Sequence, residues 1–102
     1  MKRILLVCSA GMSTSMLVNK MDHAAEEKGL EIEIHAISEY DLNNHLQEVD
    51  VLLIAPQIRF LEDKIRKIAD PMRIKVDIID FSSYGMLQGD KILEQALHLI
   101  DA

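Results

Sequence analysis

The chain alternates two kinds of apolar pattern, and that alternation leaves few folds open. RILLV at 3–7 and VLLI at 51–54 are short continuous apolar runs, the second bounded by Asp50 and Ala55-Pro56. Runs of this kind fit strands buried on both faces. EIEIHAI at 31–37 and IKVDII at 74–79 alternate more plainly, as strands nearer a sheet edge do. Helical spacing fills the intervals. Met16, Leu17, Val18, Met21, Ala24 and Ala25 form a face within 13–28, stopped by Gly29. Ile58, Leu61, Ile65 and Ile68 recur within 58–69, closed by Asp70-Pro71, and Ile92, Leu93, Ala96, Leu97 and Ile100 share a side within 88–100. A short helix is expected over 39–46. The resulting order, βαβαβαβα, predicts an α/β fold with right-handed crossovers. Its economical form is a four-stranded parallel sheet in the flavodoxin-like order 2-1-3-4, with helices on both faces.

At 102 residues this is one domain, 1–102, with no internal repeat or linker. Apolar residues make up 49 %, enough for a core, yet aromatics are 4 % and Trp is absent, so Ile, Leu, Val and the six Met must fill it. The net charge of −6 and the lack of a long basic run argue against nucleic acid as a partner. No apolar stretch approaches the roughly 20 residues of a membrane span, so no direct membrane insertion is expected. Met1-Lys2-Arg3 leads straight into the first strand, too short a start for a signal peptide. With a single Cys no internal disulfide can form, and a cytoplasmic protein is expected.

That single cysteine opens the stretch CSAGMSTS at 8–15, directly after the first strand. In an open α/β sheet, ligands bind beyond the carboxyl ends of the strands where the strand order reverses. For order 2-1-3-4 the reversal lies between strands 1 and 3, at the loops starting from Cys8 and from Ala55-Pro56-Gln57. Gly11 gives the backbone freedom, and Ser9, Ala10 and Ser13 are too small to block close approach. Successive N–H groups can then face an anion, helped by the start of the following helix and the hydroxyls of Ser13, Thr14 and Ser15. A thiol placed here is expected to have a lowered pKa and thiolate character near neutral pH. On the loop alone, a covalent phosphoryl acceptor and a buried cysteine flanked by helix-capping hydroxyls are equally good accounts. Location at the switch point favours the first.

Two chemistries use such a loop. Cysteine phosphatases need an Arg six positions after the Cys to clamp the phosphate, and here that position is Thr14. Asp70-Pro71 precedes strand 4 and so lies at the wrong edge to protonate a leaving group; Asp80, at the other end of that strand, has no specific support. The loop is built to hold a phosphoryl group without the parts for rapid hydrolysis. Low-molecular-weight cysteine phosphatases, their arsenate-reductase relatives, and non-catalytic flavodoxin-like binding modules remain as alternatives.

ILLVCSAGMSTSMLV resembles the phosphorylation loop of IIB proteins of the bacterial sugar phosphotransferase system, in the lactose/cellobiose/diacetylchitobiose family. APQI at 55–58 is similar to that family's Gly-Pro-Gln segment, with Ala55 in place of Gly. DFSSYG at 80–85 is similar to its last active-site loop. The resemblance implies that Cys8 takes a phosphoryl group from a phosphohistidine of the IIA protein. It then passes the group to a sugar during uptake through the membrane IIC permease. Residues Ser9, Ala10, Gly11, Met12, Ser13, Thr14 and Ser15 are implied to form the phosphate loop. Pro56, Gln57, Ser82, Ser83 and Tyr84 are implied to line the pocket or face a partner, as Met12 does at the loop tip. The sugar expected for the family is a β-linked disaccharide such as cellobiose or diacetylchitobiose. No cofactor is implied, and His23, His35, His45 and His98 have no metal-site spacing and lie off the carboxyl-end loops. Arg59, Lys64, Arg66 and Lys67 read as a solvated helix face, with Arg59 as a candidate IIA contact.

Overall fold

The computed structural model describes residues 1–9 and 13–101, with the side chains of residues 13 and 14 outside that description. Strands β1 (Lys2–Cys8), β2 (Ile32–Ser38), β3 (Val51–Ile54) and β4 (Lys75–Ile78) form one sheet in the order β2-β1-β3-β4. All three strand pairings are parallel. The two continuous apolar runs take the centre: Ile4–Cys8 and Val51–Ile54 are buried without a break. The alternating runs take the edges, as their pattern predicts, because an edge strand keeps part of itself in water.

Helix α1 (Ser13–Glu27) returns the chain from β1 to β2, and α2 (Glu62–Ala69) returns it from β3 to β4. These crossovers leave the sheet centre in opposite directions. Right-handedness in both therefore puts α1 and α2 on opposite faces. The closing helix α4 (Gly89–Asp101) packs on α1. The core holds Leu6, Leu52, Leu53 and Ile54 from the sheet against Leu17 and Met21 of α1 and Ile92 and Leu93 of α4. Burying each such side chain stabilises the fold by about 1.5–3 kcal/mol before chain entropy is counted. Gly89 lets the two helices meet: a Cβ there would lie 2.7 Å from the backbone of Lys20 and Met21. Gly29 ends α1 as its position suggests, at φ +68°, with Leu30 N–H donating to Ala25 O at 3.0 Å.

Several elements differ from the sequence expectation. The helix expected over 58–69 is divided. Residues 56–61 form a 3-10 turn with Pro56 at its start, Ile58 has non-helical angles (φ −117°, ψ 26°), and regular α-helix begins only at Glu62. The α-helix does end at Ala69, directly before Asp70-Pro71. A 3-10 turn then runs to Met72, ended by Arg73 in the left-handed region at φ 60°. The short helix at 39–46 is a 3-10 turn over Glu39–Asn44, with the Tyr40 N–H donating to the Ser38 hydroxyl. A further helix, α3 (Phe81–Gly85), stands in DFSSYG, which the sequence reading takes as a loop.

The amino edge is tied by Arg3. Its backbone N–H donates to Asp50 Oδ2 at 2.8 Å, and its guanidinium pairs with Glu33, its register partner on β2. The strand-to-helix connections lie at the other, carboxyl edge.

Candidate phosphoryl-transfer site

Cys8 is the last residue of β1 and is 2 % exposed. Its Cα pairs with Ser38 at the end of β2, and on the other side Ala55 N–H donates to Val7 O at 2.9 Å. The ends of β2, β1 and β3 are therefore level, and the thiol's strand ends between two others. Ala10, Gly11 and Met12, with the side chains of Ser13 and Thr14, lie outside the described residues. Ser9 is exposed at the strand end, and Ser15 is exposed in the first turn of α1.

A groove of about 470 Å³ joins Cys8, Ser9, Ser15, Asn19, Ala36 and Ser38. Among the described residues it opens on the β2 side of β1, where the edge strand β2 lies against α1. Ala55 and Pro56, at the end of β3, are buried. Asn19 was not singled out by sequence, although it stands one helical turn after Ser15 and shares its face. His35 also lines this groove, although it lies within β2, three positions before Ser38. Its Nε2 is 3.4 Å from Glu33, and Arg3 and His35 together hold the Glu33 carboxyl below its usual range.

At the end of β3, Ala55 has φ −61° and ψ 141°, angles open to any residue, so Ala in place of Gly costs no backbone strain. Gln57 is exposed on the turn that Pro56 begins. Ser82, Ser83 and Tyr84 lie at the end of β4, two strand spacings from β1, or roughly 10 Å across the sheet. They are not part of the Cys8 groove. Ser83 is buried, with its N–H and Oγ–H both donating to Asp80 Oδ2 at 3.0 Å. These bonds hold the Asp80 carboxyl below its usual range, chiefly through the Ser83 N–H. Asp80 N–H donates to Gln95 Oε1 at 3.1 Å, and Gln95 Nε2 donates to Ile78 O and to Asp77 Oδ2. Gln95 fixes the end of β4 to α4, and nothing in its sequence spacing marks it. Of the four basic residues on the α2 segment, Arg66 is paired with Glu62 at 2.9 Å and Arg59 donates to Pro56 O at 3.4 Å.

A parallel α/β sheet with its thiol ending the central strand, followed by a small-residue loop and a helix, defines a protein class built around cysteine at a strand-to-helix turn. The model of the family "PTS system, Lactose/Cellobiose specific IIB subunit" matches residues 3–95, and the chain belongs to that family. It is 46 % identical to the oligo-beta-mannoside-specific EIIB component of Bacillus subtilis, over 98 % of this chain and 97 % of that protein. It is 43 % identical to the galactose-specific EIIB component of Lactococcus lactis subsp. cremoris, with the same shares covered. The solution structure of the cellobiose-specific IIB component of Borrelia burgdorferi superposes with a TM-score of 0.81 at 40 % identity, covering 98 % of this chain and 92 % of that one. The chain is thus a phosphotransferase, a phosphoryl carrier of the sugar phosphotransferase system, and the phosphatase and binding-module alternatives fall away. IIB components of this system work with IIA and IIC proteins. No helix among the described residues is long and apolar enough to cross a membrane.

Proposed function

We propose that Cys8 is the residue that carries the phosphoryl group. Its thiolate attacks the phosphorus of a IIA phosphohistidine; the S–P bond forms as the N–P bond breaks, and the imidazole leaves. A sugar hydroxyl held by IIC then attacks the same phosphorus. The S–P bond breaks, the thiolate is restored, and the hydroxyl proton passes to solvent or to a base of the partner. Neither step needs a cofactor. Residues 9–15 hold the phosphoryl oxygens through backbone N–H groups and hydroxyls in a site closed by the partner. Pro56, Gln57, Ser82 and Tyr84 face the pocket rim or a partner, and Ser83 holds their loop in place. The reaction takes place in the cytoplasm, and the whole chain 1–102 acts as one domain. The sugar is a β-linked disaccharide of the cellobiose or diacetylchitobiose kind, a reading supported by the cellobiose and oligo-beta-mannoside relatives.

One observation carries the assignment: the chain's single cysteine ends the central strand β1, level with the ends of β2 and β3, at the carboxyl edge of the sheet. Incubation with radiolabelled phospho-IIA should put about one phosphate on each wild-type chain and none on Cys8→Ser. Full labelling of that variant at another residue would overturn the assignment. Aryl phosphate hydrolysis should stay at background in both, because Thr14 stands where a phosphatase has Arg.

A further inference from the structure

A second groove opens on the carboxyl edge, apart from the thiol, between the turn after β2 and helix α2. Leu42, Leu61, Ile65 and Ile68 line it with Tyr40 and Phe60, and it encloses about 360 Å³. Tyr40 is 86 % exposed and Phe60 76 %. The chain has only two Tyr and two Phe, so two of its four aromatics stand in water beside one apolar groove. Exposed aromatics around an apolar floor are the make-up of an interface centre.

The position links this groove to the reaction. Ser38, the register partner of Cys8, accepts a hydrogen bond from Tyr40 N–H at 3.3 Å. Phe60 lies on the turn that starts from Ala55, itself bonded to Val7. Both flanks of the groove thus start from strand ends that neighbour the thiol's own. Charge chooses between the two proteins that must reach the thiol. Glu39, Asp41, Asp63, Asp80 and Asp90 stand at the strand-to-helix edge, against Arg59, Lys64 and Lys91, with Glu62 already paired to Arg66. A phosphoryl group on Cys8 adds more negative charge there. Membrane proteins keep an excess of Lys and Arg on their cytoplasmic loops. An acidic edge with an aromatic centre complements such a surface.

We infer that the Tyr40–Phe60 groove docks the cytoplasmic face of the IIC permease, receiving an apolar ridge flanked by Lys and Arg. The inference rests on the reading of Cys8 as the phosphoryl carrier and adds the surface that addresses the second transfer. The test separates the two half-reactions. Labelling from phospho-IIA is measured in solution. Sugar phosphorylation is measured on inverted vesicles bearing the cognate IIC, as the carrier concentration giving half-maximal rate. Tyr40→Ala/Phe60→Ala should raise that concentration by about tenfold or more while leaving the labelling rate within about twofold. Glu39→Lys/Asp41→Lys should do the same, more strongly at low salt. Wild-type far-ultraviolet circular dichroism in each variant excludes misfolding. An unchanged half-maximal concentration on vesicles would overturn the inference. So would an equal loss in the phospho-IIA step, which would give the groove to the donor. Label that fails to appear on wild-type Cys8 refutes the carrier residue instead, and is read before any vesicle is added.

Discussion

Asp80 brings a carboxylate to the same edge of the sheet as the thiol, but Ser83 already engages it through N–H and Oγ–H. The unfolded carboxyl titrates near 3.8, and these bonds hold the folded one lower. Its contribution to stability is therefore complete above the unfolded value and is lost as pH falls through the folded one. Asp80→Asn should lower the melting temperature near neutral pH, and the difference should shrink as pH falls through the folded value. Asp22 has the opposite sign. Burial first, and Glu26 second, raise its pKa, with His35 partly opposing them. Its ionised form disfavours folding at neutral pH, so Asp22→Asn should raise the melting temperature there. That gain should shrink as acid protonates the wild-type side chain. At the reaction centre, Thr14→Arg should shorten the lifetime of the phosphorylated carrier in buffer by about tenfold or more, since a guanidinium stabilises the charge of attack by water. A chase of labelled protein without acceptor measures it. The position of Cys8 at a strand end could be read from sequence because the continuous apolar run stops there. Gln95 could not, because its partners, a backbone carbonyl, a backbone amide and Asp77, are brought to it only by the folded β4–α4 contact.

Among the elements, the sheet was the most legible. Continuous apolar character separated β1 and β3 from the edge strands because burial on two faces and on one leave different periods in the chain. Helix ends were less so. Ile58 fits the apolar spacing of α2, yet the chain there is a 3-10 turn, since Pro56 starts it and burial of Ile58 satisfies the spacing without helical angles. Spacing reports which side chains go inside, not how the backbone carries them there. Likewise, a helix as short as α3 gives no periodic signal, and its capping by Asp80 is the feature that could have revealed it. The α1–α4 contact offers a sharper test. Gly89→Ala drives a Cβ into the backbone of α1 and should cost about 1–3 kcal/mol in urea unfolding. Leu17→Ala, which empties the 0 % exposed site beneath the same contact, should cost about 2–5 kcal/mol.

For the molecule as a whole, a Cα radius of gyration of 12.3 Å is close to the roughly 13 Å of a folded domain this size. One cluster of buried residues spans the sheet and its helices. Unfolding should therefore be a single transition, with circular dichroism and tyrosine fluorescence giving the same midpoint in urea. Separate midpoints would show that the sheet and its covering helices hold together independently. The free edge of β2 carries Glu33 and His35, charged or polar side chains of the kind that discourage pairing with a second sheet. Sheet order came from the succession of elements alone, whereas the groove beside Cys8 depended on how α1 lies against the edge strand β2.

All strands run the same way, so every loop that leaves a strand end emerges on one rim, while the interior that keeps those loops in place lies behind them. On the proposed reading, reactivity and address sit on that one rim but on different connections, the first after β1 and the second after β2 and β3. A transport circuit is then rewired to another permease by exchanging the exposed residues of the latter turns, with β1 and the loop after it left untouched.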